Sequence, residues 1–321
     1  MKRSPKRACL KLDLQKAFDS VNRSFVLHVM RCIGFPEQWI KECIFTPSFS
    51  VLINGSPNGM IKSNRGLRQG DPLSPYLFSL VMEAFTLSLE SGLRCRRWET
   101  FSMEGCPVVS HLLFADDILL FLKPTRRSIT FLFHLIEDFG NESGLHINKS
   151  KSAIFFAKSV TSGLLLARAV QITVGKLPIK YLGLPLFASS KRSSLFDPLI
   201  EKFRSKVAFW NAGTISRGNR LELLRSVLQS YLYFWCSAFS LPIVVQVALD
   251  RIMRHFLWGT SSHHVNWATV CTPTGEGGLG IRRSEDVCSA SLMRLGWQLL
   301  KDPTCLWSSW MLQRYCRGES F

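Results

Sequence analysis

The chain has 321 residues, of which 46% are hydrophobic and 20% charged, and its net charge is +17. That length allows two or three domains with sizeable cores, and that balance excludes a disordered or fibrous chain. So large a positive excess points to a polyanionic partner, nucleic acid before anionic membrane.

Residues 8–14 alternate, with Ala8, Leu10, Leu12 and Leu14 on one face and Cys9, Lys11 and Asp13 on the other. This is the pattern of a half-buried strand with Asp13 near its end. Val26, Val29, Met30 and Ile33 then recur at helical spacing, and Gly34 with Pro36 stops that helix. A second short helix holds Trp39, Ile40 and Cys43. Residues 49–54 read as a strand, 55–59 as a turn, and the residues after them as a return strand. The glycine- and proline-rich stretch 65–75 has a specified backbone path. Ser74 reads as an N-cap and Pro75 as the first residue of a helix running to Gly92. Arg65, Arg68 and Gln69 lie on the approach to it, where donors meet a nucleotide or template.

Residues 111–122, His-Leu-Leu-Phe-Ala-Asp-Asp-Ile-Leu-Leu-Phe-Leu, place two carboxylates between two apolar runs. This predicts a β-hairpin with Asp116 and Asp117 at its tip. Adjacent carboxylates repel unless a cation sits between them, and magnesium is the hard cation that leaves room for phosphate oxygens. Alone, such a pair is also an ordinary acidic turn. A helix over 128–139 follows, then Lys149 and Lys151 around a turn, then a strand at 153–156. This order predicts an α+β unit, an antiparallel sheet of the split βαβ kind with helices on one face. It would bring Asp13 beside the hairpin tip, so that Asp13, Asp116 and Asp117 converge on one cation-sized space.

Beyond about residue 190 the chain reads as helical, with stripes at Phe196, Leu199, Ile200, Phe203, Val207 and Trp210, and at Leu221, Leu224, Val227, Leu228 and Tyr231. Lys202, Arg204, Lys206, Arg217, Arg220 and Arg225 form either a phosphate-tracking surface or a solvated basic face. Residues 226–249 carry no charge, but Gln229, Pro242 and Gln246 favour a buried helix ending near Pro242 over a membrane span. Residues 258–321 hold Trp258, Trp267, Trp297, Trp307 and Trp310, better suited to helix packing than to base stacking. Ten cysteines show no Cys-x-x-Cys pair. His263, His264 and Cys271 lack zinc-finger spacing, so the thiols read as reduced and the protein as intracellular. Residues 1–7 are basic, but Lys11 and Asp13 interrupt any signal-peptide core.

Together these residues resemble the reverse transcriptases of non-LTR (LINE-type) retrotransposons, especially those of plants. Leu12-Asp13-Leu14-Gln15-Lys16-Ala17-Phe18-Asp19 is similar to motif A, and residues 65–75 to motif B, the most specific match. Phe114-Ala115-Asp116-Asp117 is similar to motif C, Gly144-Leu145-His146-Ile147-Asn148 through Lys151-Ser152 to motif D, and Tyr181-Leu182-Gly183-Leu184-Pro185 to the primer-grip motif E. A looser similarity continues through Trp210, residues 218–221, 256–258 and 276–280.

The resemblance implies a right-hand polymerase palm over residues 1–188, a helical thumb over 189–257 and a tryptophan-rich extension over 258–321. It implies RNA-directed DNA polymerase activity with two Mg2+ ions held by Asp13, Asp116 and Asp117, the last in support. Phe18 would screen out the ribose 2′-hydroxyl, Gln69 and Gly70 would meet the nucleotide, and Lys151 would protonate pyrophosphate. Arg65, Arg68, Lys202, Lys206 and Arg220 would bind nucleic acid. The implied partners are an RNA template, a DNA primer and deoxynucleoside triphosphates, with no membrane, and the implied location is the nucleus if the chain is active. Only twelve residues precede Asp13, whereas the family's fingers precede motif A by more than a hundred. The expectation is therefore a palm and thumb that bind nucleic acid but polymerise poorly alone. The competing reading is an inactive nucleic-acid-binding remnant. An intron-type maturase shares the palm, but nothing after the thumb supports it.

Overall fold

A computed structural model of the chain describes residues 6–46, 48–103, 105–187, 193–210, 214–259 and 265–316. The chain divides into two units, Met1–Leu182 and Gly183–Phe321.

In the first unit, β1 (Ala8–Asp13) buries every second residue, as its alternation demands. After α1 (Ala17–Ser20), helix α2 (Arg23–Ile33) is capped by the Asn22 side chain and closed by Gly34 at φ 96°. Helix α3 (Glu37–Phe45) starts directly after Pro36. Strands β2 (Ser48–Ile53) and β3 (Ser56–Lys62) form a hairpin, α4 (Ser74–Arg94) follows, and β4 (His111–Phe114) pairs with β5 (Asp117–Leu122). Then come α5 (Arg126–Ser143), β6 (Ala153–Phe156), α6 (Gly163–Ala169), β7 (Thr173–Val174) and β8 (Ile179–Tyr181).

The main sheet has the order β4-β5-β1-β6-β7. Leu10, Leu12, Ile118, Leu120 and Ile154 project from it into one core with Val26, Met30, Val81, Phe85, Leu132 and Ile136 of α2, α4 and α5. Each such side chain, fully buried, contributes about 1.5–3 kcal/mol. The polar face of β1, with Cys9, Lys11 and Asp13, is only half covered. This is the expected α+β layer, with one departure. The β6–β7 pair is parallel, because α6 carries the chain back across the sheet, as a parallel connection requires.

Three local expectations need correction. The first hairpin turns at Asn54-Gly55, with φ 50° and 82°, and residues 56–59 belong to the return strand. Asn-Gly is the residue pair that a tight two-residue turn selects. The start of α4 is held by Asp71, whose carboxylate accepts from the Leu73 N–H at 2.8 Å, and Ser74 is already helical. In the second hairpin, Phe114 pairs with Asp117, so the loop is Ala115-Asp116 and Asp117 opens the strand.

The second unit begins with β9 (Leu184–Leu186) and is otherwise helical: α7 (Asp197–Phe209), α8 (Arg217–Leu223), a π-helical stretch Leu224–Leu228 running into α9 (Gln229–Cys236), and α10 (Ile243–Trp258). Then follow α11 (Trp267–Val270), α12 (Ser284–Lys301) and α13 (Leu306–Met311). Leu199, Phe203, Leu228, Leu249 and Phe256 share one core with Trp267, Ile281 and Val287. The stretch after Trp258 thus packs with the helices before it. The expected boundary at 188/189 falls outside the described residues, as do His263 and His264. No helix among the described residues is long and apolar enough to cross a membrane; the helix expected to end near Pro242 ends at Cys236, and Pro242 directly precedes α10. All ten cysteines are free.

Candidate active site

The β1–β5 register sets Asp13 directly opposite Asp117. Side chains of directly opposed residues share a face, with Cβ atoms about 4.5–5.5 Å apart. Asp116 precedes Asp117 in the loop and is exposed. The residue before it, Ala115, takes φ 50°, a conformation that costs a residue with a Cβ about 1–2 kcal/mol. The hairpin therefore holds a strained backbone at the position that aims Asp116.

The three carboxylates do not gather as expected. Among the described residues, no three His, Cys, Asp or Glu side chains come together as a metal cage. Lys11 engages one of the three. Its Nζ lies 3.5 Å from the Asp117 carboxylate, and both side chains are about one-quarter exposed, 22% and 28%. The same ammonium donates to the Lys180 carbonyl of β8 at 2.7 Å, so one head group touches both Asp117 and β8. Nearby, burial pushes the Cys9 thiol up to about 12. Burial, with the charge of Asp117 beside it, also raises the Tyr181 phenol.

The remaining donors still suit magnesium. That ion is held by one or two carboxylates and completed by substrate phosphate oxygens and water, not by an all-protein cage. Asp13 and Asp116 supply hard oxygen ligands of this kind, and no ion pair engages either of them among the described residues.

The end of β1 is clamped by the segment that follows α5. Asn148 N–H donates to the Asp13 carbonyl at 2.7 Å, Gln15 N–H to the His146 carbonyl at 2.9 Å, and Asp13 N–H to Ser152 Oγ at 3.1 Å. Gly144, at φ 80°, leaves no room for a Cβ against the Ser20 carbonyl. This clamp places Lys151 in the same cleft as Asp13, a space of about 680 Å³ also lined by Lys16, Asp19, Arg65, His146 and Asn148. Sequence reasoning gave roles to Asp13, Arg65 and Lys151, whereas Lys16, His146 and Asn148 stood inside motifs A and D without one. Lys16 enters because its backbone turns left-handed, φ 44°, which no sequence pattern announced.

The segment before α4 is latched to α1 and the residue that follows it by backbone hydrogen bonds. Leu67 N–H donates to the Phe18 carbonyl at 2.7 Å and Gly66 N–H to the Val21 carbonyl at 2.8 Å. Arg23, buried at 4% exposure, donates through Nε to the Gly66 carbonyl at 2.9 Å and through Nη1 to the Ser63 carbonyl. Burial lowers its pKa. Nothing in the sequence marked this buried arginine. Gln69 Nε2 donates to Asp19 Oδ1 at 3.1 Å, in a recess lined also by Arg65 and Arg68. Gly70 is exposed, with φ 88°, and Arg68 lies over the Phe49 ring. Phe18 is half-buried and stacked on Phe78 at 4.8 Å, and it does not line the Asp13 cleft.

In the second unit, Lys202 is exposed over the Tyr231 ring, and Lys206 is half-buried in the last turn of α7. Arg220 differs from the expectation of a phosphate contact. It donates to the carbonyls of Ile215 at 3.0 Å and Phe256 at 3.4 Å, so its guanidinium ties α8 to the end of α10. Arg225 is likewise engaged by the Leu279 carbonyl.

A carboxylate-bearing central strand beside a carboxylate-tipped hairpin, over one layer of helices, is the palm of a right-hand polymerase. The reverse transcriptase (RNA-dependent DNA polymerase) family profile matches residues 1–186, and the chain belongs to that family. Its relatives include the retrovirus-related Pol polyprotein of the type-2 retrotransposable element R2DM of Drosophila melanogaster, 28% identical over 84% of this chain and 26% of its own. The transposon TX1 149 kDa protein of Xenopus laevis is 27% identical over 94% of this chain and 23% of its own. The chain thus spans about a quarter of the length of these relatives, which are of the non-LTR kind its motifs resemble. Apo telomerase from Candida tropicalis overlaps 97% of this chain and 54% of its own at 12% identity and a TM-score of 0.47.

Proposed function

We propose that this chain is the palm and thumb of a non-LTR element's RNA-directed DNA polymerase, extending a DNA primer with deoxynucleoside triphosphates on an RNA template. The observation that carries the reading is the β1–β5 register, which sets Asp13 opposite Asp117 with Asp116 at the adjoining loop. Magnesium, as two ions held chiefly by Asp13 and Asp116, would activate the primer 3′-hydroxyl and neutralise phosphate charge. The chain's own residues do the rest. Lys16, Arg65 and Lys151 line the cleft with Asp13 and match a triphosphate in charge. Lys151 is the proton donor for the leaving pyrophosphate. Gln69, held by Asp19, meets the nascent pair, and Phe18, stacked on Phe78, keeps the family's position for screening the ribose 2′-hydroxyl. Exposed Lys202 and half-buried Lys206 follow the duplex backbone. Work on chromosomal DNA would put the enzyme in the nucleus.

The test is primer extension on an RNA template with Mg2+, run beside Asp13→Ala and Asp116→Ala. Extension by the unmodified chain should fall by roughly two orders of magnitude or more in each variant, as when a charge-stabilising group is lost. Duplex binding should persist and weaken steeply with salt. Binding without any Asp-dependent extension would favour the remnant reading over catalysis.

A further inference from the structure

The three carboxylates are chemically alike in sequence, yet the fold treats them differently. Lys11 and Asp13 share the polar face of β1. Lys11 is opposite Leu119 and Asp13 is opposite Asp117, so Asp117 is the diagonal neighbour of Lys11, within reach of a lysine stem. The ammonium has three donors and uses them on two partners, the Asp117 carboxylate at 3.5 Å and the Lys180 carbonyl at 2.7 Å. A partly buried head group held from two sides differs from a mobile surface pair, which contributes little.

We propose that Lys11 is a positioning residue that divides the carboxylates, pinning Asp117 to the β8 backbone and offsetting its charge so that Asp13 and Asp116 form the cation-binding pair. This rests on the reading of Asp13 and Asp116 as metal-holding groups. The consequence is a site of moderate divalent affinity that exchanges metal with the nucleotide phosphates. A third uncompensated carboxylate would bind the ion more tightly and compete with those phosphates for it.

The experiment is a Mn2+ titration followed by electron paramagnetic resonance, which needs no turnover. It uses the whole chain and its Lys11→Met, Lys11→Gln, Lys11→Arg, Asp13→Asn and Lys11→Met/Asp117→Asn variants, with circular dichroism to verify folding. Lys11→Met should tighten Mn2+ binding about five- to tenfold, the size expected from losing one unit charge about 7 Å away at high effective dielectric. Lys11→Gln keeps a donor for the Lys180 carbonyl and should tighten it as well, which covers the case in which the methionine variant fails to fold. Lys11→Arg should match the unmodified chain, and the gain should vanish when Asp117 is also replaced. Unchanged or weaker binding in folded Lys11→Met or Lys11→Gln, or a gain that survives Asp117→Asn, overturns the role of Lys11 while leaving the site intact. Binding that ignores Asp13→Asn overturns the metal reading, and this inference with it.

Discussion

Gly66 shows how single residues set the site. At φ 84°, an added Cβ would lie 2.6 Å from the Asp19 carbonyl oxygen. Gly70, at φ 88°, has open space around the same position. Gly70→Ala should therefore cost only the left-handed backbone penalty, about 1–2 kcal/mol. Gly66→Ala adds a clash with backbone that cannot rotate away and should cost roughly 3 kcal/mol or more. Urea unfolding of the two variants compares them directly, and equal losses would refute the packing argument. The glycine-rich run before α4 was visible in the sequence as a constrained loop, but the approach of Asp19 was not, because it depends on how two distant segments meet. The place of Asp13 at the end of β1 and of Asp116 in the hairpin loop was likewise legible from the alternation and the apolar flanks. The ion pair from Lys11 to Asp117 was not, since it exists only once the β1–β5 register is known.

At the scale of elements, the two hairpins of the first unit both carry large apolar side chains, yet β5 is buried where β2 and β3 are exposed. In β5, Ile118, Leu119, Leu120 and Leu122 are buried. In β2 and β3 every residue is exposed, including Phe49, Val51, Leu52, Ile53, Met60 and Ile61. A two-stranded ribbon on its own is marginal in water. Brief chymotrypsin digestion under native conditions should thus cut first within residues 48–62, while residues 111–122 stay intact until global unfolding. First cleavage in the second hairpin would contradict the burial pattern. Both hairpins were readable as hairpins from their strand patterns, although each turn falls one or more residues earlier than expected. Which one joins the core was not, because the sequence does not say which strands become neighbours of β1.

For the whole molecule, the second unit gives a pH signature. Asp250 on α10 accepts from the Ser284 N–H at 3.1 Å and the Ser284 hydroxyl at 2.7 Å, both through Oδ1, and so caps α12. Burial outweighs these bonds and raises its pKa above the usual 3.8. With the native pKa raised, the native state holds the proton more firmly than the unfolded chain. Its cost to stability is absent below about pH 3.8 and develops as pH rises through the native pKa. Asp250→Asn keeps the accepting oxygen and removes the charge. It should raise the melting temperature at pH 7 and leave it nearly unchanged at pH 3. A lower melting temperature at pH 7 would show that Arg254 and Arg283 compensate the charge fully. The helical stripes of this unit were plain in the sequence. Its extent was not, because Trp267, Ile281 and Val287 enter the core through contacts far along the chain.

The place of β1 in its sheet also governs how the chain is made. Ala8 pairs with Leu122 on one side and Phe156 on the other, so the central strand leaves the ribosome long before either neighbour. At about 5–20 residues per second, it waits roughly 7–30 s for its second partner. Such long sequence separations place this unit among slow folders. During that interval an apolar strand with two open edges is a template for wrong pairing. The Lys11 and Asp13 side chains, charged from the moment of synthesis, then serve as gatekeepers along the strand that will later bear the chemistry.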